Sequence, residues 1–237
     1  MATYVLIHGA WHGGWCWERV ASLLRARHHE VYSPSLTGAG ARKHLLSPSV
    51  GMDTYVLDVV NLIESEDLQN VILVGHSAAG AVVAKAAESI HARLMNLVYV
   101  DAAVVPSGKS LFDVFPPQWV DDMRTGATSK GEGWYMPTDF DMIMPFFASD
   151  FTEEDKRWLT SKITPQPIKP YEDKVDLSQF YELTIPKTYV RCTKTQAGIP
   201  RKVAKKFGMQ YVEIDAGHDP MISQSRRFAD ILAGLAD

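Results

Sequence analysis

Three residue types that together perform acyl transfer each follow an apolar run typical of a buried strand. Ser77 stands in VILVGHSAAG, His218 in VEIDAGHDPM and Asp101 in LVYVDAAVVP. A serine hydroxyl is a weak nucleophile at neutral pH, so it needs a base that takes its proton. A histidine oriented by a carboxylate is such a base. We therefore expect Ser77 to be a catalytic nucleophile and His218 its base.

The run GHSAAG, residues 75–80, nearly matches the G-x-S-x-G pattern, in which the serine sits on a strained turn between a strand and a helix. The context agrees, because four apolar β-formers precede it and a helix of small residues follows. The fifth position departs from the pattern, since it is Ala79 and the glycine comes next, at Gly80. The alternative is that Ser77 only caps a helix.

A glycine-rich loop follows the first strand, in LIHGAWHGGWCW, residues 6–17. Glycines let a backbone approach a reacting centre closely, and backbone N–H groups can hold the oxyanion that forms when serine attacks a carbonyl. We expect the N–H groups of Ala10 and Ala78 to form this oxyanion hole. Dinucleotide binding is excluded, because the loop lacks G-x-G-x-x-G and no acidic residue ends the next strand.

The overall composition indicates one globular domain. The 237 residues are 46% hydrophobic and carry a formal charge of −4, which gives no indication of nucleic-acid binding. No apolar run approaches the roughly 18 residues of a membrane span, and no signal-peptide pattern opens the chain. The two cysteines form neither a disulfide framework nor a metal site. We expect a cytoplasmic protein with no metal, cofactor, membrane or nucleic-acid partner; a homodimer stays open.

Strand and helix patterns alternate at both ends of the chain, which predicts an α/β fold with a mostly parallel sheet and helices on both faces. Residues 1–105 and 187–237 form this core. Residues 106–186 are rich in proline and aromatic residues and predict an inserted cap, although a long connection is the alternative. Within it, Thr152 and Asp155 are spaced like a capping box at the start of a helix.

The motifs VLIHGAWHGGWCW, VGHSAAG, YVRCTKTQAGIP and IDAGHDPM resemble those of α/β-hydrolases. More narrowly, the whole chain resembles the plant methylesterase and hydroxynitrile lyase family and its bacterial esterase relatives. The resemblance implies an α/β-hydrolase fold and hydrolysis of a carboxylic ester through a seryl acyl-enzyme. It implies a small-molecule ester as the substrate.

Two positions separate the esterases of this family from its lyases. The resemblance implies that a lyase carries lysine directly after the catalytic histidine, where this chain has Asp219, and an acid directly before the serine, where it has His76. A second carboxylate beside His218 would repel cyanide. Both positions favour an esterase. A lactonase or amide hydrolase, a cyanohydrin-type lyase and a weakly hydrolytic ligand receptor remain as alternatives.

The carboxylate of the triad is missing from its family position. The resemblance places an aspartate two residues after Thr193, where this chain has Thr195. Asp101 is the favoured replacement, because it ends the strand that follows the one carrying Ser77. The chain resembles haloalkane dehalogenases in this placement. Asp215, Asp219, or a dyad completed by Thr195 or water are the alternatives.

Aromatic side chains of the cap predict a pocket for a small or medium apolar ester. The residues that we expect to contact the substrate are His12, Trp134, Phe140, Phe146 and Phe147.

Overall fold

The structure, a computed structural model, describes residues 1–236, without the side chain of Met142. Its strands are β1 (Thr3–Ile7), β2 (Glu30–Tyr32), β3 (Val71–His76), β4 (Leu94–Val100), β5 (Tyr135–Met136), β6 (Gln166–Pro167), β7 (Lys187–Cys192) and β8 (Gln210–Ile214). Six of them form one parallel sheet in the order β2-β1-β3-β4-β7-β8. The other two, β5 and β6, pair antiparallel outside it.

Residues 1–236 also form ten α-helices. They are α1 (Glu18–Arg25), α2 (Met52–Ser65), α3 (Ala79–Ile90), α4 (Pro117–Lys130), α5 (Phe140–Phe147), α6 (Glu153–Lys162), α7 (Lys169–Glu172), α8 (Arg201–Lys206), α9 (Pro220–Ser223) and α10 (Ser225–Ala233). Helix α1 packs against α10, and α2 packs against α3. Across residues 1–236, no helix is both long enough and apolar enough to cross a membrane.

The strand order explains the two helix pairs and the location of the site. The chain moves outward from β1 to β2 and then returns past β1 to β3, so right-handed crossovers place α1 and α2 on opposite faces of the sheet. Strand β3 is buried at every residue, as a central strand covered on both faces must be. In such sheets a crevice opens at the carboxyl ends of the strands where the order reverses.

The segment between β4 and β7 carries α4 to α7 and the β5–β6 pair. It is anchored to the sheet-flanking helices at α6. There, Arg19 of α1 lies 2.6 Å from Asp155 and stacks over the Trp158 ring at 5.0 Å. A backbone hydrogen bond from Thr164 to Trp11 (3.0 Å) ties the same segment to the glycine-rich loop.

The capping box expected at the start of α6 is confirmed. The Thr152 hydroxyl accepts a hydrogen bond from the Asp155 N–H at 3.2 Å, and the Thr152 N–H donates to the Asp155 carboxylate at 3.2 Å. These bonds satisfy donors that a helix start otherwise leaves without partners.

We predict that Thr152→Ala lowers the free energy of unfolding by about 1 kcal/mol, the usual cost of losing such a cap. Chemical denaturation monitored by circular dichroism measures it. Thr160→Ala is the matched control, because the exposed Thr160 hydroxyl bonds only a carbonyl one turn back in the same helix. Equal effects of the two substitutions would contradict the capping role.

Candidate active site

Ser77 sits on a strained turn between β3 and α3. Its backbone has a φ of +54°, in the left-handed region that residues other than glycine rarely adopt. The turn is held by backbone bonds: the Ser77 N–H donates to Val100 at 3.1 Å, and the Ser77 carbonyl accepts from Ala103 at 2.9 Å. The strain is thus supported by the neighbouring strand, and it holds the serine at the edge of the sheet.

The shifted glycine of the elbow has a packing reason. A methyl group on Gly80 would overlap the backbone carbonyl of Ala103, whereas Ala79 is accommodated and buried. Gly75 is also constrained, because a Cβ there would lie 2.7 Å from the side chain of Val83 in α3. The close approach that the G-x-S-x-G pattern provides is therefore made one residue later in this chain.

His218 follows β8 and reaches back across the sheet to the end of β4. Its Nδ1 lies 2.8 Å from Oδ2 of Asp101. Its Nε2 is buried and has no hydrogen-bond partner among the described residues. The side chains of Ser77, Asp101 and His218 all line one cavity. A carboxylate on Nδ1 fixes the tautomer in which Nδ1 carries the proton, which leaves Nε2 able to accept one.

The other candidate acids lie elsewhere. The Thr195 hydroxyl accepts from the Ala197 N–H at 2.9 Å. Asp215 is exposed and pairs with Lys194 at 3.4 Å. Asp219 is fully buried and bonds His12. Among these carboxylates, Asp101 is the one that bonds the His218 ring.

The glycine-rich loop lies directly against the elbow. A Cβ on Gly9 would approach the Ser77 Cβ to 2.8 Å, so only glycine permits this contact. Ala10 and Ala78 both line the cavity, and the N–H of neither donates a hydrogen bond to another residue in the described range 1–236. The next N–H along, that of Trp11, is occupied by the Gln166 side chain at 2.5 Å. Two free donors beside Ser77 fit the expected oxyanion hole.

A buried hydrogen-bonded network of His12, Asp219 and His76 adjoins His218. His12 Nε2 lies 2.9 Å from Asp219, and His12 Nδ1 lies 2.6 Å from the Ala10 carbonyl. Burial alone would lower the pKa of His12, but the Asp219 carboxylate raises it overall. Burial would raise the pKa of Asp219, and the charge of His12 lowers it overall. His12 and Asp219 therefore form an ion pair, which also fixes Ala10.

His76 connects this network to His218. Burial, and next the charge of His218, lower the pKa of His76 well below its ordinary 6.5, so the ring is neutral. Its Nε2 is 2.9 Å from the His218 carbonyl and donates to it, while the two rings lie 4.6 Å apart. The backbone of His218 is thereby held independently of its side chain. Within the described residues, His, Cys, Asp and Glu side chains form no group of three able to hold a metal ion.

The cavity above Ser77 has a volume of about 170 Å³ and a mostly apolar lining. Helix α5 supplies Phe146 and Phe147, whose rings lie 4.5 Å and 5.2 Å from that of His218. Trp119 of α4 packs edge-on against Phe146 at 4.6 Å. Such walls exclude water and accept an apolar group of small or medium size.

Two of the five residues expected to contact a substrate, Phe146 and Phe147, line this cavity, and the structure places the other three outside it. Both ring nitrogens of His12 are occupied by the ion-pair network. Trp134 lies on Tyr135, with its N–H near Glu132 (3.3 Å). Phe140 starts α5 and is 40% exposed. An aromatic-rich sequence does not reveal which face of such a helix turns inward.

Arg191 is a residue of the site that was not predicted from the sequence. Arg191 of β7 lies 2.8 Å from Asp101, on the carboxylate oxygen that His218 leaves free. A charged side chain inside the otherwise apolar run TYVRC was the available signal, because a charge in a central strand needs a partner.

Comparison with known proteins shows the family of the chain. A model of the alpha/beta hydrolase family matches residues 4–231. The chain is also 32% identical to a carbendazim hydrolyzing esterase from Nocardioides sp. (strain SG-4G), across 99% of this chain and 100% of the relative. The chain therefore belongs to the alpha/beta hydrolase family.

Further relatives are hydrolases, in agreement with the carbendazim hydrolyzing esterase. A pyrethroid hydrolase from Sphingobium wenxiniae is 26% identical over 98% of this chain and 87% of its own length. Among solved structures, an extracellular alpha/beta-hydrolase from a Paenibacillus species superimposes with a TM-score of 0.91 at 27% identity, over 99% of both chains. That protein is described as sharing structural and functional homology with Tobacco Salicylic Acid Binding Protein 2. These similarities support an esterase, an enzyme that acts on ester bonds.

We predict that Asp101→Asn lowers kcat for ester hydrolysis by about 10⁴-fold, because an amide cannot hold the productive tautomer of the histidine. Steady-state kinetics on a chromogenic ester measure the effect. Asp215→Asn is the matched control and is expected to keep near-full activity, because that carboxylate is exposed and pairs with a surface lysine. Near-full activity of Asp101→Asn would show that another group orients His218.

The buried ion pair predicts a pH-dependent contribution to stability. Because the pKa of Asp219 is lowered in the folded protein, its contribution is present above the ordinary value of 3.8 and is lost as the pH falls further. We expect Asp219→Asn to reduce the free energy of unfolding at neutral pH by about 3 kcal/mol, the cost of leaving a buried partner unpaired. Denaturation measured at pH 7 and pH 3 should show the difference shrinking at the lower pH. A constant difference would contradict the assignment.

Proposed function

We propose that the protein is a serine carboxylesterase that hydrolyses small to medium apolar esters through a seryl acyl-enzyme. The observation that carries the proposal is the 2.8 Å contact between His218 Nδ1 and Asp101, with His218 Nε2 left free and Ser77 on the wall of the same cavity. This is the donor–acceptor order of a triad: nucleophile, base and orienting acid.

Acylation starts when the ester carbonyl lies against Ser77. The serine oxygen attacks the carbonyl carbon while His218 Nε2 takes the hydroxyl proton, and the Asp101 carboxylate stabilises the imidazolium that forms. The oxyanion accepts hydrogen bonds from the N–H groups of Ala10 and Ala78. The imidazolium then gives its proton to the alkoxy oxygen, and the C–O bond to the alcohol breaks.

Deacylation uses the same groups in reverse. A water molecule loses a proton to His218 Nε2 and attacks the acyl carbon, and a second oxyanion forms in the same hole. The proton returns to the Ser77 oxygen as the acyl bond breaks. The carboxylic acid leaves, and the starting state of the triad is restored.

The segment 106–186 acts in this proposal as a cap that shapes the acyl or alcohol pocket. The support is that α5 places Phe146 and Phe147 against the His218 ring and that α4 adds Trp119 to the lining. The mostly apolar walls favour apolar substituents on the ester. The related enzymes are named for carbendazim and for pyrethroids, which makes carbendazim and a pyrethroid suitable first substrates to test.

An esterase is favoured over a cyanohydrin lyase by the position of Asp219. Its carboxylate is fully buried, holds His12 at 2.9 Å and lies 3.3 Å from His76 Nε2. A carboxylate directly after the base, already paired with His12, offers no cation that could hold a cyanide ion. We also propose that the protein is cytoplasmic, as expected from its sequence. Cell fractionation of the native host tests this location separately.

We predict that Ser77→Ala reduces the turnover of p-nitrophenyl acetate and butyrate by at least about 10⁴-fold, since the covalent route is lost. Ser161→Ala is the matched control, because that hydroxyl lies on the exposed side of α6 and bonds only the Trp158 carbonyl. Mass spectrometry of the protein quenched during turnover should show the acyl group on Ser77. Equal turnover by wild type and Ser77→Ala would rule out the proposed function.

A further inference from the structure

We infer that Arg191 is a positioning residue that holds the relocated acid of the triad, an inference that rests on the proposed function. The Asp101 carboxylate is shared between two partners. Its Oδ2 bonds His218 Nδ1 at 2.8 Å, and its Oδ1 bonds Arg191 Nη1 at 2.8 Å. The side chain of Asp101 is completely buried, while that of Arg191 is 17% exposed.

The sheet register creates this contact. Strands β4 and β7 are parallel neighbours, and Val100 lies opposite Val190. The next residue on each strand is Asp101 and Arg191, so these two lie side by side. The Asp101 N–H donates to the Val190 carbonyl at 2.8 Å, and the Cys192 N–H lies 3.4 Å from Asp101 Oδ1. The backbone of Asp101 has a φ of +43°, in the left-handed region that residues other than glycine rarely adopt.

The guanidinium also fixes the loop from which the usual acid is missing. Arg191 donates to the carbonyls of Cys192 and Thr195, so it ties the start of the loop 193–200 to the ion pair. The loop then passes directly over the pair. A Cβ on Gly198 would overlap Asp101 Oδ1 and lie 2.8 Å from Arg191 Cδ. Thr195 thus contributes its backbone carbonyl to the site through Arg191.

Electrostatics explains why the relocated acid needs this arginine. A base must be unprotonated to take the serine proton, so before the attack the buried Asp101 carboxylate has no cation on the His218 side, and such a charge is costly without a partner. Arg191 supplies the charge permanently, and its planar guanidinium bonds a carboxylate and two carbonyls at once. During catalysis the imidazolium adds a second cation on the opposite oxygen. The arginine therefore makes protonation of the His218–Asp101 pair harder.

Other ionisable groups also surround this pair, and they are the same in wild type and in the Arg191 variants. They are His76, Tyr189, Cys192, Tyr211 and Asp219, together with Asp122 on the cavity wall and Asp150, which accepts from the N–H of the neighbouring Gly217.

The first test compares the pH dependence of kcat/KM for wild type and Arg191→Met. The acid-side limb reports protonation of the His218–Asp101 pair in the free enzyme. Without the arginine cation the pair binds a proton more readily, so the half-maximal point on the acid side moves to higher pH by about one unit. We expect kcat to fall about 10²-fold at neutral pH as the acid loses its position. Arg191→Lys keeps the charge and should restore most of the acid limb.

Arg93→Met is the matched control. Arg93 stands just before β4, at the opposite end of the strand that Asp101 follows, and it also pairs with an aspartate (Asp67, 2.7 Å) and a carbonyl (Leu68, 3.2 Å). Its loss should leave both the acid limb and kcat unchanged. A general effect of removing a salt-bridged arginine would instead appear in both variants.

A double-mutant cycle separates positioning from simple support of the fold. If Arg191 acts through Asp101, then adding Arg191→Met to Asp101→Asn costs less than about twofold in kcat, because the group it positions is already gone. The double variant also lacks the unpaired buried charge, so it stays folded even if Arg191→Met alone does not. An unmoved acid limb, or an equal loss of kcat in both backgrounds, would overturn the inference.

The outcomes also distinguish this inference from the proposed function. A wild-type enzyme whose turnover does not depend on Ser77 contradicts the proposed function alone. The coupling between Arg191 and Asp101 is then read from thermal unfolding of the same four proteins, where strict additivity of the two substitutions would overturn the inference.

Discussion

A fully buried carboxylate at the end of a central strand requires a partner on each oxygen, and the site is organised around that requirement. Asp101 finds His218 on one side and Arg191 on the other, both at 2.8 Å. The first contact ties the loop after β8 to β4, and the second ties β7 and its following loop to the same point. With Nδ1 committed to Asp101, the free Nε2 of His218 belongs to the cavity that Ser77 lines.

The ion pair of His12 and Asp219 lies close to the pair of Asp101 and Arg191 but shares no residue with it. His12 and Asp219 neutralise each other, and the neutral His76 ring separates them from His218 while it holds the His218 backbone. Two carboxylates thus lie close to His218: Asp101 bonds its ring and Asp219 follows it in the chain. Each carboxylate has its own cation, Arg191 and His12 respectively. With Asp219 paired to His12, Asp101 is the carboxylate that bonds the His218 ring.

Much of the core was predictable because parallel strands covered on both faces are continuous apolar runs. The runs before Ser77, Asp101 and His218 each predicted a strand, and parallel strands end at the same edge of the sheet. The missing acid at Thr195 was visible as a departure from a family pattern. Asp101 was then the favoured replacement, because it ends the strand that follows the one carrying Ser77.

The remaining contacts of the site join residues that are far apart in the sequence, so no local sequence pattern predicts them. Arg191 meets Asp101 across 90 residues of sequence, and Asp219 meets His12 across 207 residues. Their identity follows from sheet register and loop path, which the periodicity of one segment does not fix. The inward face of α5 was equally hidden, because an aromatic-rich run offers no polar side by which to orient the helix.

The most direct test of the central claim is the proton on His218 Nδ1, observed by ¹H NMR as the strongly downfield resonance of a histidine bonded to a carboxylate. If Asp101 is the acid of the triad, wild type and Thr195→Ala show this resonance, and Asp101→Asn loses it. Persistence of the resonance in Asp101→Asn, or its loss in Thr195→Ala, would contradict the account.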